Sequence, residues 1–315
     1  MTGSGLSITE WKVVTGTIPP LTDEAWEIEF DKYKQIPQYQ LINSHFTLSD
    51  FKSIYFWEYI HRLIGRMIGL VFLVPFLYFY FKKRISKELM PRLVVMFLLG
   101  ALQGFIGWYM VSSGLTENTR VSHYRLALHL GTAFITFGYI FYVFLIESTT
   151  NRKEAVQRRW PFIILILVFI QIIFGAFVAG THAGYVYNTW PTMEGEWVPE
   201  SFTFALQKDG WISFFNNLAS VQFIHRCMAY VVTAAILFWW WKNRDEKVDA
   251  RKRGINLLMY AVFMQVILGI YTLLAHVPVW MGVTHQAMAF VLFATAIFHY
   301  HIYRTVPAKQ EDIKQ

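Results

Sequence analysis

Cysteine is almost absent: Cys227 is the only one among 315 residues. That excludes an intrachain disulfide, a CxxC redox motif and any cysteine-based metal site. Cys227 lies two residues after His225 in an apolar run, where a small apolar filler is the plain reading. Charge is scarce too, at 16% of residues, and no HExxH zinc motif occurs. Residues 1–56 are polar and mixed, without the apolar h-region of a cleavable signal.

Hydrophobic residues fill the space that charge leaves. They make up 55% of the chain, and aromatics alone 18%, with a mean hydropathy of +0.35. Runs of about 20 apolar residues read as transmembrane helices. Seven occur, near 57–81, 93–112, 122–146, 160–181, 219–241, 255–275 and 280–303. Pro75 lies inside the first, which a membrane helix tolerates when neighbours satisfy the freed carbonyl. These runs predict an all-α fold, a polytopic membrane helical bundle.

The net charge of +7 has a topological meaning rather than pointing to nucleic acid. The segments 82–92, 147–159, 242–254 and the tail after Tyr303 hold 18 of the 28 Lys and Arg. Segments 1–56, 113–121 and 182–218 hold six. The positive-inside rule then places 1–56 and 182–218 outside and the C-terminus in the cytoplasm or matrix. The remaining four, Arg62, Arg66, Arg125 and Arg226, lie inside the spans.

The two halves resemble each other. EYIHRLIGR at 58 pairs with QFIHRCMAY at 222, Gln103 and Gly107 pair with Gln265 and Gly269, and HLGTAF at 129 pairs with HQAMAF at 285. FVAGTHAGYVYNTWPTMEGEWVP, after the span at 160–181, has a counterpart in MTGSGLSITEWKVVTGTIPP at the start of the chain. Each repeat is therefore expected to have four spans, with the first helix absent from the sequence as written. An even span number makes the repeats parallel. The expected halves are 1–150 and 151–315.

Ten histidines are present. His45, His123, His182 and His276 fall in or beside loops, and His299 and His301 are expected at the membrane interface. His61, His129, His225 and His285 differ: each lies within about two turns of the same end of its span. Ionisable residues inside spans are costly and imply function. Helix packing through a hydrogen bond is the plainer explanation for any one of them, but less so for two repeat-related pairs. Two imidazoles from facing helices can hold a haem iron at both axial positions. Arg62 and Arg226 follow their histidines, and Arg125 precedes His129 by four residues on one face. Arg binds carboxylates, including haem propionates, in a bidentate manner; snorkelling to headgroups is the alternative. Glu58 lies one turn from His61, and its counterpart Gln222 cannot ionise. Arg66 and Arg125 likewise become Tyr230 and Met281. One half keeps reactive charge and the other has lost it, although an i,i+4 salt bridge to Arg62 would also explain Glu58.

GSGLSITEWKVVTGTIPPL, EFDKYKQIPQYQLIN, EYIHRLIGR, HLGTAF, FGAFVAGTHAGYVYNTWPTMEGEWVP, QFIHR and THQAMAF together resemble the haem A synthase family, over nearly the whole chain. The loop EFDKYKQIPQYQ and the lack of loop cysteines are similar to its proteobacterial and mitochondrial branch. The resemblance implies an eight-helix protein of the bacterial plasma or mitochondrial inner membrane that oxidises a ring methyl of haem O to a formyl group, giving haem A for terminal oxidases. It implies a haem b on His225 and His285, near Arg226, in the C-terminal half. It puts substrate haem O on His61 and His129, with Arg62, Arg66 and Arg125, in the N-terminal half. It makes Glu58 the catalytic carboxylate. Haem O synthase is the expected donor of substrate; a further redox partner is required, and a homo-oligomer is compatible. Two other classes fit the residues alone: a di-haem b-type cytochrome exchanging electrons with quinone, and a parallel-repeat transporter for an anionic substrate.

Overall fold

The computed structural model describes residues 4–11, 15–115, 119–149 and 159–305. The expected boundary at 150/151, most of the basic segment 147–159 and the end of the tail lie outside them. Among the described residues the chain is all-α, and the β pairing is one isolated bridge, Met193–Glu196. The helices are α1 (Asp23–Lys34), α2 (Leu48–Phe81), α3 (Leu89–Ser112), α4 (His123–Ser148), α5 (Arg159–Thr181), α6 (Glu200–Asp209), α7 (Ser213–Asn216), α8 (Leu218–Lys242), α9 (Asp249–Leu274) and α10 (Val279–Thr305). Seven of them, α2–α5 and α8–α10, are long and apolar enough to cross a membrane, and the protein is an integral membrane protein.

Helix α2 begins at Leu48, well before its apolar run. Thr47 and Asp50 form a capping box there, each side chain accepting from the other's backbone N–H. At 1.5 Å per residue its 34 residues reach about 51 Å, longer than a bilayer's hydrocarbon core of about 30 Å. The excess is its first turns, whose Phe51, Ile54 and Tyr55 turn into a separate small core.

The chain divides into two compact units, Met1–Thr132 and Ala133–Gln315, and the division falls inside α4. In the first unit Leu6, Phe30, Tyr33 and Ile36 pack on those first turns of α2. Phe30 stacks on Phe51 with ring centroids 5.1 Å apart. The buried Tyr33 hydroxyl donates to Gln38 Oε1 (3.1 Å) and accepts from Asn43 (2.8 Å), so the core carries no stranded phenol; burial raises its pKa above the ordinary tyrosine value. This cap fixes the segment 4–11 against α2.

In the second unit α10 packs on α9 and α5, and α8 packs on α5 and α9. Ile164, Val168, Ile236, Trp239, Leu258 and Ala296 are buried between them. Small residues allow close approach: a Cβ on Gly254 of α9 would stand 3.1 Å from Ile302 of α10. His299 and His301 were expected at the membrane interface. They are buried within the protein, 0% and 4% exposed. Trp239 donates its indole N–H to His299 Nε2 (2.8 Å), and His301 Nε2 pairs with the Thr149 hydroxyl (2.9 Å). Partners from neighbouring helices thus make imidazole burial tolerable.

Candidate functional site

In the first unit Glu58 is 6% exposed, one helical turn before His61. Three donors meet its carboxylate. The Ser7 hydroxyl (2.7 Å) and the Ile8 backbone N–H (2.9 Å) reach Oε2, and Arg62 Nη2 pairs with Oε1. The i,i+4 pairing is therefore present, and Ser7 is added to it. A turn closed by the Ser7 N–H on the Ser4 carbonyl (3.0 Å) presents Ser7 to α2. Arg62 also donates to the carbonyls of Ile8 (3.0 Å) and Glu10 (3.1 Å) and lies 5.2 Å from the Trp11 ring. Arg62 thus ties the segment 8–11 to α2.

His61 is exposed on α2, and its ring centroid lies 6.4 Å from that of His129 on α4. His129 is seated by α3. Gln103 Nε2 lies 3.1 Å from His129 Nδ1 and 3.0 Å from its carbonyl, while the Thr132 hydroxyl lies 2.7 Å from Gln103 Oε1. One turn on, a Cβ on Gly107 would meet His129 Cε1 at 3.0 Å, so glycine leaves room for the ring edge. Arg125 donates to the Tyr109 carbonyl (2.7 Å) and to Ser112 Oγ (3.1 Å), 3.8 Å from the Tyr109 ring centroid, and so ties α4 to the end of α3. Arg66 and Arg62 line a cleft of about 380 Å³ with Tyr55, Lys32 and Glu29. Burial disfavours the Lys32 charge, but hydrogen bonds to Glu29 and Glu10 outweigh it and raise its pKa.

The second unit repeats this plan with different chemistry. Gln171 of α5 places Nε2 3.1 Å from His225 Nδ1 and 3.1 Å from the His225 carbonyl. Gln265 of α9 places Nε2 3.3 and 3.2 Å from the two ring nitrogens of His285. Cβ atoms on Gly175 and Gly269 would stand 3.3 and 2.9 Å from Cε1 of these rings. His285 lies within electrostatic reach of His225. Arg226 donates to the carbonyls of Tyr187 (2.9 Å), Thr189 (2.9 Å) and Thr192 (3.2 Å). Gln222, 2% exposed, donates to the Tyr187 carbonyl (3.0 Å).

These contacts align the two segments. Ile8 and Glu10 bind Arg62 as Tyr187 and Thr189 bind Arg226, an offset of 179 residues that also matches Gly5 to Gly184, Trp11 to Trp190, Gly16 to Gly195 and Pro20 to Pro199. Ser7 falls opposite Val186, which has no hydroxyl. One architecture thus carries two imidazole pairs but one buried carboxylate. The whole of this pattern lies inside a match, over residues 1–297, to the COX15-CtaA family of cytochrome oxidase assembly proteins.

The chain belongs to that family.

It is similar to the heme A synthase of Flavobacterium psychrophilum, 47% identical over 308 residues that cover 96% of this chain and 90% of that protein. It is 46% identical over 303 residues to the heme A synthase of Parvibaculum lavamentivorans, covering 96% and 87%. The heme A synthase of Wolbachia pipientis wMel is 43% identical over 300 residues, covering 94% and 83%.

In this family member the four histidines of the spans come together as two pairs, and Arg62, Arg125 and Arg226 each bind backbone carbonyls of their own unit. Ser7, Thr132 and Gln171 were not singled out from sequence. Gln171 had a legible signal: QGFIG at 103, QIIFG at 171 and QVILG at 265 share Gln-x3-Gly, the spacing of one helical turn. Ser7 had none, because a fold-dependent turn brings it to Glu58.

Proposed function

We propose that this protein is a haem A synthase, oxidising a ring methyl of haem O to a formyl group. The observation that carries the reading is the pairing itself: two pairs of imidazoles, three of the four rings set beside a Gln-x3-Gly seat, with a buried carboxylate beside only one pair among the described residues. The fit to haem is chemical. Each pair offers two imidazole nitrogens, the donor type that would hold the iron of a porphyrin. The glycines leave space along the rings, and the Oε1 atoms of Gln171 and Gln265 are buried without a partner, so the seats are polar and adjustable.

The N-terminal half, 1–150, takes haem O on His61 and His129. The C-terminal half, 151–315, keeps a haem b on His225 and His285. The N-terminal half supplies three spans, α2–α4, and the C-terminal half four, α5 and α8–α10. When bound, the haem b supplies one-electron transfer between the substrate half and an external partner. Glu58 accepts a proton from the reacting methyl or stabilises positive charge developing there. Ser7, Ile8 and Arg62 hold the carboxylate in place, and Gln222 offers no such base. Arg66 and Arg125 sit on the substrate side as cations for propionates, and Arg226 serves the haem b side, in addition to the carbonyl contacts of Arg125 and Arg226. Methyl to formyl is a four-electron oxidation that also needs one oxygen atom; with water as its source, four protons leave and an external electron acceptor takes up the four electrons. The protein lies in the bacterial inner membrane, with 1–56 and 182–218 outside and the C-terminus in the cytoplasm. Haem O synthase delivers the substrate.

The test is haem extraction from protein purified out of cells that also make haem O, followed by chromatography. Haem B together with haem A supports the reading. Haem B alone favours an electron-carrying cytochrome. A protein without haem overturns the assignment of all four histidines.

A further inference from the structure

Gln103 and Gln265 occupy the same place in the two repeats, one turn before Gly107 and Gly269, yet their amides are held differently. Gln103 is fixed at both ends. Its Nε2 donates to the His129 carbonyl (3.0 Å), and its Oε1 lies 2.7 Å from the Thr132 hydroxyl, the nearest of three acceptors around that hydroxyl, with the Leu128 carbonyl at 2.8 Å and the His129 carbonyl at 3.1 Å. Those two bonds aim the amide N–H at the His129 ring. A ring nitrogen that accepts this N–H carries no hydrogen of its own.

Gln265 has neither anchor. Thr132 lies three residues after His129, and the residue three after His285 is Met288, which has no hydroxyl. The Oε1 of Gln265 is buried and has no partner. Its Nε2 touches only the two ring nitrogens of His285. An imidazole bound to iron through one nitrogen keeps a hydrogen on the other, and that N–H needs an acceptor. Rotating the Gln265 amide by half a turn supplies one. It brings the orphaned carbonyl to the ring N–H, beside the Gln265 backbone carbonyl that already bonds the His285 ring, and it turns Nε2 into the place that Oε1 held.

We propose that Gln265 is a positioning residue whose side-chain carbonyl accepts the ring N–H of His285, and that Thr132 denies His129 the same contact by locking Gln103. The inference rests on His285 and His129 being iron ligands. Its consequence is a division of labour. An accepted N–H raises the donor strength of the imidazole, so His285 holds a resident haem firmly. His129, facing an N–H donor, is the weaker ligand and suits a haem that arrives as substrate and leaves as product.

The experiment uses the full-length protein with its haem, and reads the electron paramagnetic resonance g values and the midpoint potential of the C-terminal haem. In Gln265→Leu the acceptor is gone, and the midpoint should rise. In Gln265→Glu a stronger acceptor takes its place, and the midpoint should fall, with both variants still low-spin. Loss of haem from Gln265→Leu with retention in Gln265→Glu also supports the proposal. Wild-type midpoint and g values in both haem-replete variants would overturn it and leave the ligand assignment standing. A wild-type protein without any low-spin bis-imidazole signal would overturn the ligand assignment, and the proposal with it.

Discussion

The two imidazole pairs share a frame and differ in what surrounds it. In each half an arginine just after a histidine grips backbone carbonyls of an upstream segment, Ile8 and Glu10 in one, Tyr187 and Thr189 in the other. In each, Gln and Gly one turn apart receive an imidazole edge. Against this background, besides the change of Arg66 to Tyr230 and Arg125 to Met281, three positions lose a carboxylate or hydroxyl in the C-terminal half: Glu58 becomes Gln222, Ser7 becomes Val186, and Thr132 becomes Met288. Packing differs as well. None of the membrane-spanning window of α2 is buried, against 33% of that of α10. A duplicated scaffold has kept its framework bonds in both copies and a buried carboxylate in one.

The sharpest way to break the comparison is to empty one side of it. His225→Ala should abolish the resident haem of the C-terminal half, seen as loss of haem B on extraction, while His129 remains seated by Gln103. Unchanged haem B would remove His225 from the ligand set. Next, Glu58→Gln makes the N-terminal half copy the C-terminal one. Removing a general base lowers turnover by about 10²–10⁴-fold, so haem A formation should fall that far with haem content preserved. Full turnover by this variant would end the catalytic assignment.

Ser7→Val copies Val186. It deletes one hydrogen bond to a carboxylate, worth roughly 1.5–3 kcal/mol, and haem A formation should drop about tenfold or more at unchanged haem content. A haem A yield equal to wild type would show that Ile8 and Arg62 suffice to hold Glu58. The smallest effect is expected from Arg226→Lys. One ammonium cannot span the carbonyls of Tyr187, Thr189 and Thr192 as the guanidinium fork does. The segment 187–192 should then become more susceptible to limited proteolysis, with the haem spectrum retained. Equal cleavage rates would show that the cap holds without this tie.

Much of this was legible beforehand. The seven spans follow from apolar run length alone, since in a bilayer only a helix satisfies its own backbone over that distance. The four span histidines and Glu58 stood out because charge and imidazole are expensive there. The start of α2 was less legible: its first turns are amphipathic and belong to a cap core, which a hydropathy window does not see. The burial of His299 and His301 was not legible for a related reason. Their partners are distant in sequence: Trp239 arrives from α8 and Thr149 from just past the end of α4, and these make burial tolerable.

The amino-acid sequence by itself determined the class of the protein, the spans, the duplicated histidines and the asymmetry between Glu58 and Gln222, because these depend on composition and spacing along one chain. Only the tertiary structure decided that Ser7 meets Glu58 and that Arg62 and Arg226 bind backbone as well as any ligand. It also decided that Thr132 locks Gln103 while Gln265 stays unanchored. Those are contacts between residues 20 to 54 positions apart. Their geometry depends on how helices pack and segments turn, and local spacing does not encode it.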